Sequence, residues 1–170
     1  MMELNLRYAL AVVAGMSCAG YKVRPMTAAD IPATLALWRV TEEIGLGESD
    51  RPERLEAFLE RNPGLSAVAE DGAGMPIGAV LCGDDGRRGG LYHLAVQRER
   101  RKCGVARALV AHCLAGLESR EIGKCNLFLL ASNLEGERFW LHEGWTWREN
   151  LKVLQKNVAA GTKVDCGCTC

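Results

Sequence analysis

The chain has 170 residues, 48% of them hydrophobic and 25% charged, the make-up of an ordinary globular protein rather than a disordered tail or a membrane bundle. Twenty-one basic residues balance twenty-one acidic ones. That balance argues against a dedicated polyanion binder and leaves room for a local phosphate site.

The apolar stretch from Tyr8 to Met16 is too short to span a bilayer. Arg7 before it and Ser17-Cys18-Ala19 after it leave a secretory leader open beside an extra strand or arm. Residues 1–20 are therefore set aside as an extension. A short strand is predicted from Tyr21 to Pro25, with Thr27 able to cap the helix that follows. Ile31, Leu35 and Trp38 recur at helical spacing and predict an amphipathic helix over 28–43. The acidic, glycine-rich run from Glu42 to Glu48 reads as a turn. Ser49 or Asp50 can cap a second helix with Pro52 near its first turn and Leu55, Phe58 and Leu59 as its buried stripe.

Strands are expected from Leu65 to Glu70 and from Ile77 to Cys82 around the turn Asp71-Gly72-Ala73-Gly74, then a central strand from Leu91 to Val96. Val105, Leu109, Cys113 and Leu117 trace one side of a helix, broadened by Ala106 and Val110. Cys125 to Ala131 is again strand-like, a short helix runs from about Leu134 to His142, and a strand pair is expected around 146–148 and 151–154. The predicted fold is α/β, a mixed sheet covered on both faces by helices in one domain over 21–157.

Eight cysteines do not show the short paired spacing of a disulfide framework, so reduced thiols are expected at Cys82, Cys103, Cys113 and Cys125. Cys166, Cys168 and Cys170 alternate in a tail over 158–170 that is expected to lie outside the fold. They could present thiolates to a soft metal, but no fourth ligand is assured, and no metal is expected.

The most specific feature is Leu94-Ala95-Val96 followed by Arg101-Lys102-Cys103-Gly104-Val105-Ala106 at a helix start. Unpaired backbone N–H groups converge there, Gly104 permits close approach, and Arg101 and Lys102 add positive charge. A diphosphate suits that turn; a solvated basic loop is the plain alternative. The lysine followed by serine or threonine of a nucleotide triphosphatase loop is absent.

The stretch Leu91-Tyr92-His93-Leu94-Ala95-Val96, then Arg101-x-x-Gly104-x-Ala106, then Asn133-x-x-Gly136-x-x-Phe139-Trp140-x-x-x-Gly144-Trp145, resembles the GNAT superfamily of N-acetyltransferases. Asp85-Gly86-Arg87-Arg88-Gly89 is similar to a bacterial group within it whose substrates are often unassigned. The resemblance implies a GNAT-like fold whose central strand splays from the strand at 125–131 to admit the pantetheine arm of acetyl-CoA. It implies that the backbone of Leu94 and Val96 holds that arm, that Arg101, Lys102, Cys103, Gly104, Val105 and Ala106 hold the diphosphate, and that Asn133 helps on the other side. Trp140 stands where the family commonly has a tyrosine that protonates the departing sulfur; an indole is a very poor proton source, so an aromatic wall against the cofactor is expected instead.

Transfer to an amine needs a base near 91–96. His93 suits the role because an imidazole ordinarily titrates near neutrality. Strand alternation places it on the face opposite Tyr92 and Leu94, so Tyr92 is held open as a substrate-site donor. Glu43, with Glu42, ends the first helix beside the glycine turn, where either can hold an ammonium or relay its proton. Cys103 suggests a rival covalent mechanism, disfavoured by its place inside the diphosphate turn. The expected acceptor is a small-molecule amine or a protein N-terminal amine, with no nucleic acid or membrane partner, a cytoplasmic location, and a monomer or homodimer. A catalytically inactive acyl-CoA-binding regulator is the alternative from a different class.

Overall fold

A computed structural model describes residues 20–158. The Tyr8–Met16 stretch and the alternating cysteines of the tail lie outside them. The chain forms two compact units, the first ending at Leu134 and the second beginning at Glu135.

The first unit is built on a five-stranded sheet in the order β1-β2-β3-β4-β5, with β1 Tyr21–Pro25, β2 Ala67–Asp71, β3 Pro76–Asp84, β4 Gly89–Val96 and β5 Cys125–Leu127. Neighbouring strands from β1 to β4 are antiparallel, whereas β5 lies parallel to β4. The sheet is mixed as expected. Helices α1 Ile31–Arg39 and α2 Pro52–Arg61 cover one face and α3 Val105–Ser119 the other. Ile31, Leu35 and Trp38 meet Val68, Ala79, Leu81 and Ala95 in the core of the first face. On the second, Val105, Leu109, Cys113 and Leu117 are buried as their spacing predicts, and Gly78 and Gly89 stay small because a Cβ there would run into Leu109 and Leu117. Gly83 does the same for Phe58 on the α2 side.

Several expectations are corrected. The 28–43 helix is shorter: a 3-10 turn over Ala28–Asp30 leads into α1, which stops at Arg39. There Arg24 donates to both oxygens of Asp30, at 2.7 and 2.8 Å, and to Glu70 at 2.7 Å, while Asp30 accepts the Thr27 N–H. Asp50 does not cap α2; Arg51 holds that position and Asp50 ends a 3-10 turn over Glu48–Asp50. The strand expected over 125–131 pairs only as far as Leu127, leaving Phe128 and Leu130 exposed. Cys82, Cys113 and Cys125 are free thiols, as expected.

The second unit carries α4, Leu134–His142, of which all but the first residue lie in it. No strand forms over 146–148 or 151–154, and Leu151, Val153 and Leu154 are exposed. Among the described residues no helix is long and apolar enough to cross a membrane, and no group of three or more His, Cys, Asp or Glu side chains is placed to hold a metal ion.

Candidate active site

Strand β4 pairs with β5 through Gly89, Gly90 and Leu91 and no further. From Tyr92 to Val96 its backbone continues beside β3 but has no ladder partner on the β5 side. Backbone N–H and C=O groups left without a ladder partner are a ready edge for an extended, amide-bearing ligand. This is the splayed edge expected from the motif at 91–96.

A bulge reshapes that edge. Ala79 pairs with Ala95 and Leu81 with Tyr92, so β4 fits one more residue than β3 between the same two points. His93 absorbs the irregularity with a positive φ of 52°. Two-residue alternation therefore fails here. Tyr92 packs edge-on to Phe58 of α2, with ring centroids 6.1 Å apart, and His93 lies 5.0 Å from Trp38 of α1. Both side chains are on the α1–α2 side, correcting the expectation that they face opposite ways. Burial pushes the Tyr92 phenol above its ordinary range.

His93 Nε2 lies 2.8 Å from Asp50 Oδ1. The other Asp50 oxygen accepts the Gly47 N–H at 2.7 Å. The contact between Asp50 and His93 was not expected from the sequence, where Asp50, two positions before Pro52, read as a helix cap.

The turn after β4 has the expected form. A 3-10 turn over Arg98–Arg100 leads to Arg101, Lys102 has φ 62°, and Gly104 is left-handed with φ 80° at the N-cap of α3. Two left-handed residues so close together curve the chain, and the start of a fifteen-residue helix brings its N–H groups to the same end. Val105 is buried under the turn and Ala106 is half-buried. Arg101 Nη2 donates to Glu42 Oε2 at 2.8 Å, and Arg98 reaches the same carboxylate at 3.3 Å. The Arg101 hydrogen bond holds Glu42 below the usual carboxylate range. Glu43, itself at φ 64°, accepts from Ser132 Oγ at 2.9 Å. The α1–α2 connection thus touches the segment after β4 through Glu42 and the segment after β5 through Glu43.

Asn133 follows Ser132 and donates its backbone N–H to Leu130 at 2.9 Å. In the second unit Trp140 is buried and sits edge-on to Phe139 and Trp145, at 5.0 and 4.9 Å. Burial pushes the Cys125 thiol up to about 12, which suits packing rather than nucleophilic attack.

With this geometry in place, comparison with known proteins is decisive. The model of the acetyltransferase (GNAT) family matches residues 32–145. The chain belongs to that family. It is 37% identical over 79 residues to "Acetyltransferase SG1711" of Sodalis glossinidius, a match covering 46% of this chain and 55% of that protein, so the chain spans little more than half of this relative. It is 30% identical over 112 residues to "Acetyltransferase plu1384" of Photorhabdus laumondii, covering 66% of this chain and 77% of the relative. The fold is similar to that of the PaiA N-acetyltransferase of Thermoplasma acidophilum solved in complex with coenzyme A, with a TM-score of 0.63, 16% identity, and coverage of 72% of this chain and 87% of that one.

Proposed function

We propose that this GNAT protein transfers an acetyl group from acetyl-CoA to a primary amine by direct attack in a ternary complex. The observation that carries the reading is the end of β4: its ladder with β5 stops at Leu91, and the same strand runs into the left-handed turn at the start of α3. An extended pantetheine arm fits the first feature and a diphosphate the second.

On this reading the backbone of Leu94 and Val96 holds the arm. The turn Arg101-Lys102-Cys103-Gly104-Val105-Ala106 takes the diphosphate, and Asn133 supports the arm from beyond β5. For Arg101 to serve the diphosphate, its pair with Glu42 must open; that pair is exposed, so its loss costs little. Acetyl-CoA supplies an activated acyl carbon with a thiolate leaving group. The residues of this chain align the amine, remove its proton and favour the oxyanion. His93 is the base, because it lies two residues past the last β4–β5 pair and keeps 22% of its side chain exposed. Tyr92 and Glu43 border the acceptor: Glu43 in the α1–α2 connection is placed to hold an ammonium, and Tyr92 offers a phenol beside His93. Trp140 is not the acid of this reaction, because an indole is a very poor proton source.

The acceptor is a small-molecule amine or a protein N-terminal amine. Coenzyme A thiol release from acetyl-CoA, measured across a panel of polyamines, amino sugars, amino acids and short peptides with free N-termini, tests the reading. Amine-dependent release that His93→Gln lowers strongly, to a residual but measurable rate, is expected. Release no faster than uncatalysed hydrolysis with every amine contradicts it.

A further inference from the structure

We infer that Asp50 is the positioning residue of the transfer reaction, fixing the tautomer of His93 so that Nδ1 is the nitrogen that takes the proton of the acceptor amine. The inference deepens the function proposed above and rests on it.

Asp50 is 9% exposed, and both of its oxygens are engaged by this chain, one by His93 Nε2 at 2.8 Å and one by the Gly47 N–H at 2.7 Å. The short turn that carries it is closed by the Asp50 N–H on the Gly47 carbonyl at 3.0 Å. A carboxylate only accepts hydrogen bonds, so the ring must donate, and Nε2 carries the hydrogen. A neutral imidazole has one donor nitrogen and one acceptor nitrogen. With Nε2 committed to Asp50, the lone pair lies on Nδ1.

Orientation is fixed from two more directions. The His93 ring lies 5.0 Å from the fully buried Trp38, tilted 56° to it, and the bulge at φ 52° turns the side chain toward α1 and α2. The neutral amine attacks the thioester carbon, a C–N bond forms and the C–S bond breaks, and the electron pair leaves on sulfur. The proton lost by nitrogen goes to Nδ1. The imidazolium so formed faces the Asp50 carboxylate across a charge-assisted hydrogen bond until the proton passes to the thiolate or to water.

Asparagine at 50 tests the idea because its single amide oxygen cannot serve both donors. With the oxygen kept on Gly47, the NH2 group faces His93 and donates to Nε2, which moves the ring hydrogen to Nδ1 and hides the lone pair. The ring nitrogens of the full chain can be read directly from two-bond proton–nitrogen spectra, with His93 assigned among the three histidines by its loss in His93→Gln. The wild type should show hydrogen on Nε2 and a bare Nδ1. That spectrum needs no folded Asp50 variant, and hydrogen on Nδ1 overturns the inference.

Asp50→Asn should move the hydrogen toward Nδ1. With an amine that the wild type acetylates, it should lower kcat on the order of 100-fold, while KM for acetyl-CoA changes less than about threefold. Added to His93→Gln, it should cause no further loss. An equal loss in that background would make Asp50 a mere tether of the turn and overturn the inference. A wild type that acetylates no amine overturns the base assignment together with the proposed function, and the spectra then decide the tautomer alone.

Discussion

Trp140 packs on its neighbours, Phe139 and Trp145, in two edge-on contacts. Such contacts contribute about 0.5–1.5 kcal/mol each beyond area burial. An indole N–H does not protonate a leaving thiolate usefully, and a coenzyme A thiolate can leave without strong acid help. Trp140→Phe is therefore expected to keep the fold and coenzyme affinity, with turnover lowered by less than about tenfold, or about 1.4 kcal/mol in barrier. Thiol release under saturating acetyl-CoA checks this; a loss of several hundredfold at unchanged affinity would make Trp140 a direct participant. Residue identities made His93 a candidate base and the 101–106 turn a candidate phosphate cradle. They did not indicate Asp50 as the partner of His93, because the two are 43 positions apart and meet only after α2 folds against β4.

Local chemistry along each element explains which expectations survived folding. Proline at the start of α2 and the glycine before α3 mark those helix starts in the sequence, and both starts fall there. The bulge in β4 was invisible because it is a property of two paired strands, and nothing in Tyr92-His93-Leu94-Ala95 requires an extra residue. Phe128, Leu129 and Leu130 read as strand by propensity, yet propensity makes no ladder when the neighbouring strand has diverged. One element junction has a pH signature. The Arg24 hydrogen bond holds the Asp30 carboxyl down to about 2, with the Thr27 backbone and hydroxyl assisting against the cost of burial. A depressed carboxyl stabilises the fold above its unfolded value of 3.8 and loses that contribution as pH falls through about 2. The shift corresponds to about 2 kcal/mol. Asp30→Asn should therefore lower the unfolding free energy by about that much near neutrality, with the gap to wild type closing toward pH ~2 in urea titrations. A gap independent of pH would assign the loss to something other than the Arg24 pair.

At the scale of the whole molecule, the order of strands and helices as far as α4 and the helix-covered mixed sheet were legible because each of those elements carries its own period and boundary signals. The family match begins at residue 32 and ends at residue 145. Removing residues 1–19 and 160–170 together is accordingly expected to preserve acetyl-CoA affinity by titration calorimetry, and dependence on either end would show the functional unit to be larger. In the function proposed above, the turn at the start of α3 holds the diphosphate of acetyl-CoA. Gly104 has φ 80°, and among the described residues a Cβ there would meet only the Tyr21 hydroxyl, at 3.4 Å. Alanine at 104 thus adds backbone strain of about 1 kcal/mol without closing the turn. Glutamate adds a similar strain together with negative charge where the phosphates would sit. The most direct measurement is calorimetric titration of acetyl-CoA into the wild type, Gly104→Ala and Gly104→Glu, with circular dichroism confirming that all three are folded. Binding by the wild type, retained binding by Gly104→Ala and none detectable for Gly104→Glu are expected; equal affinity in all three would rule out a diphosphate at this turn.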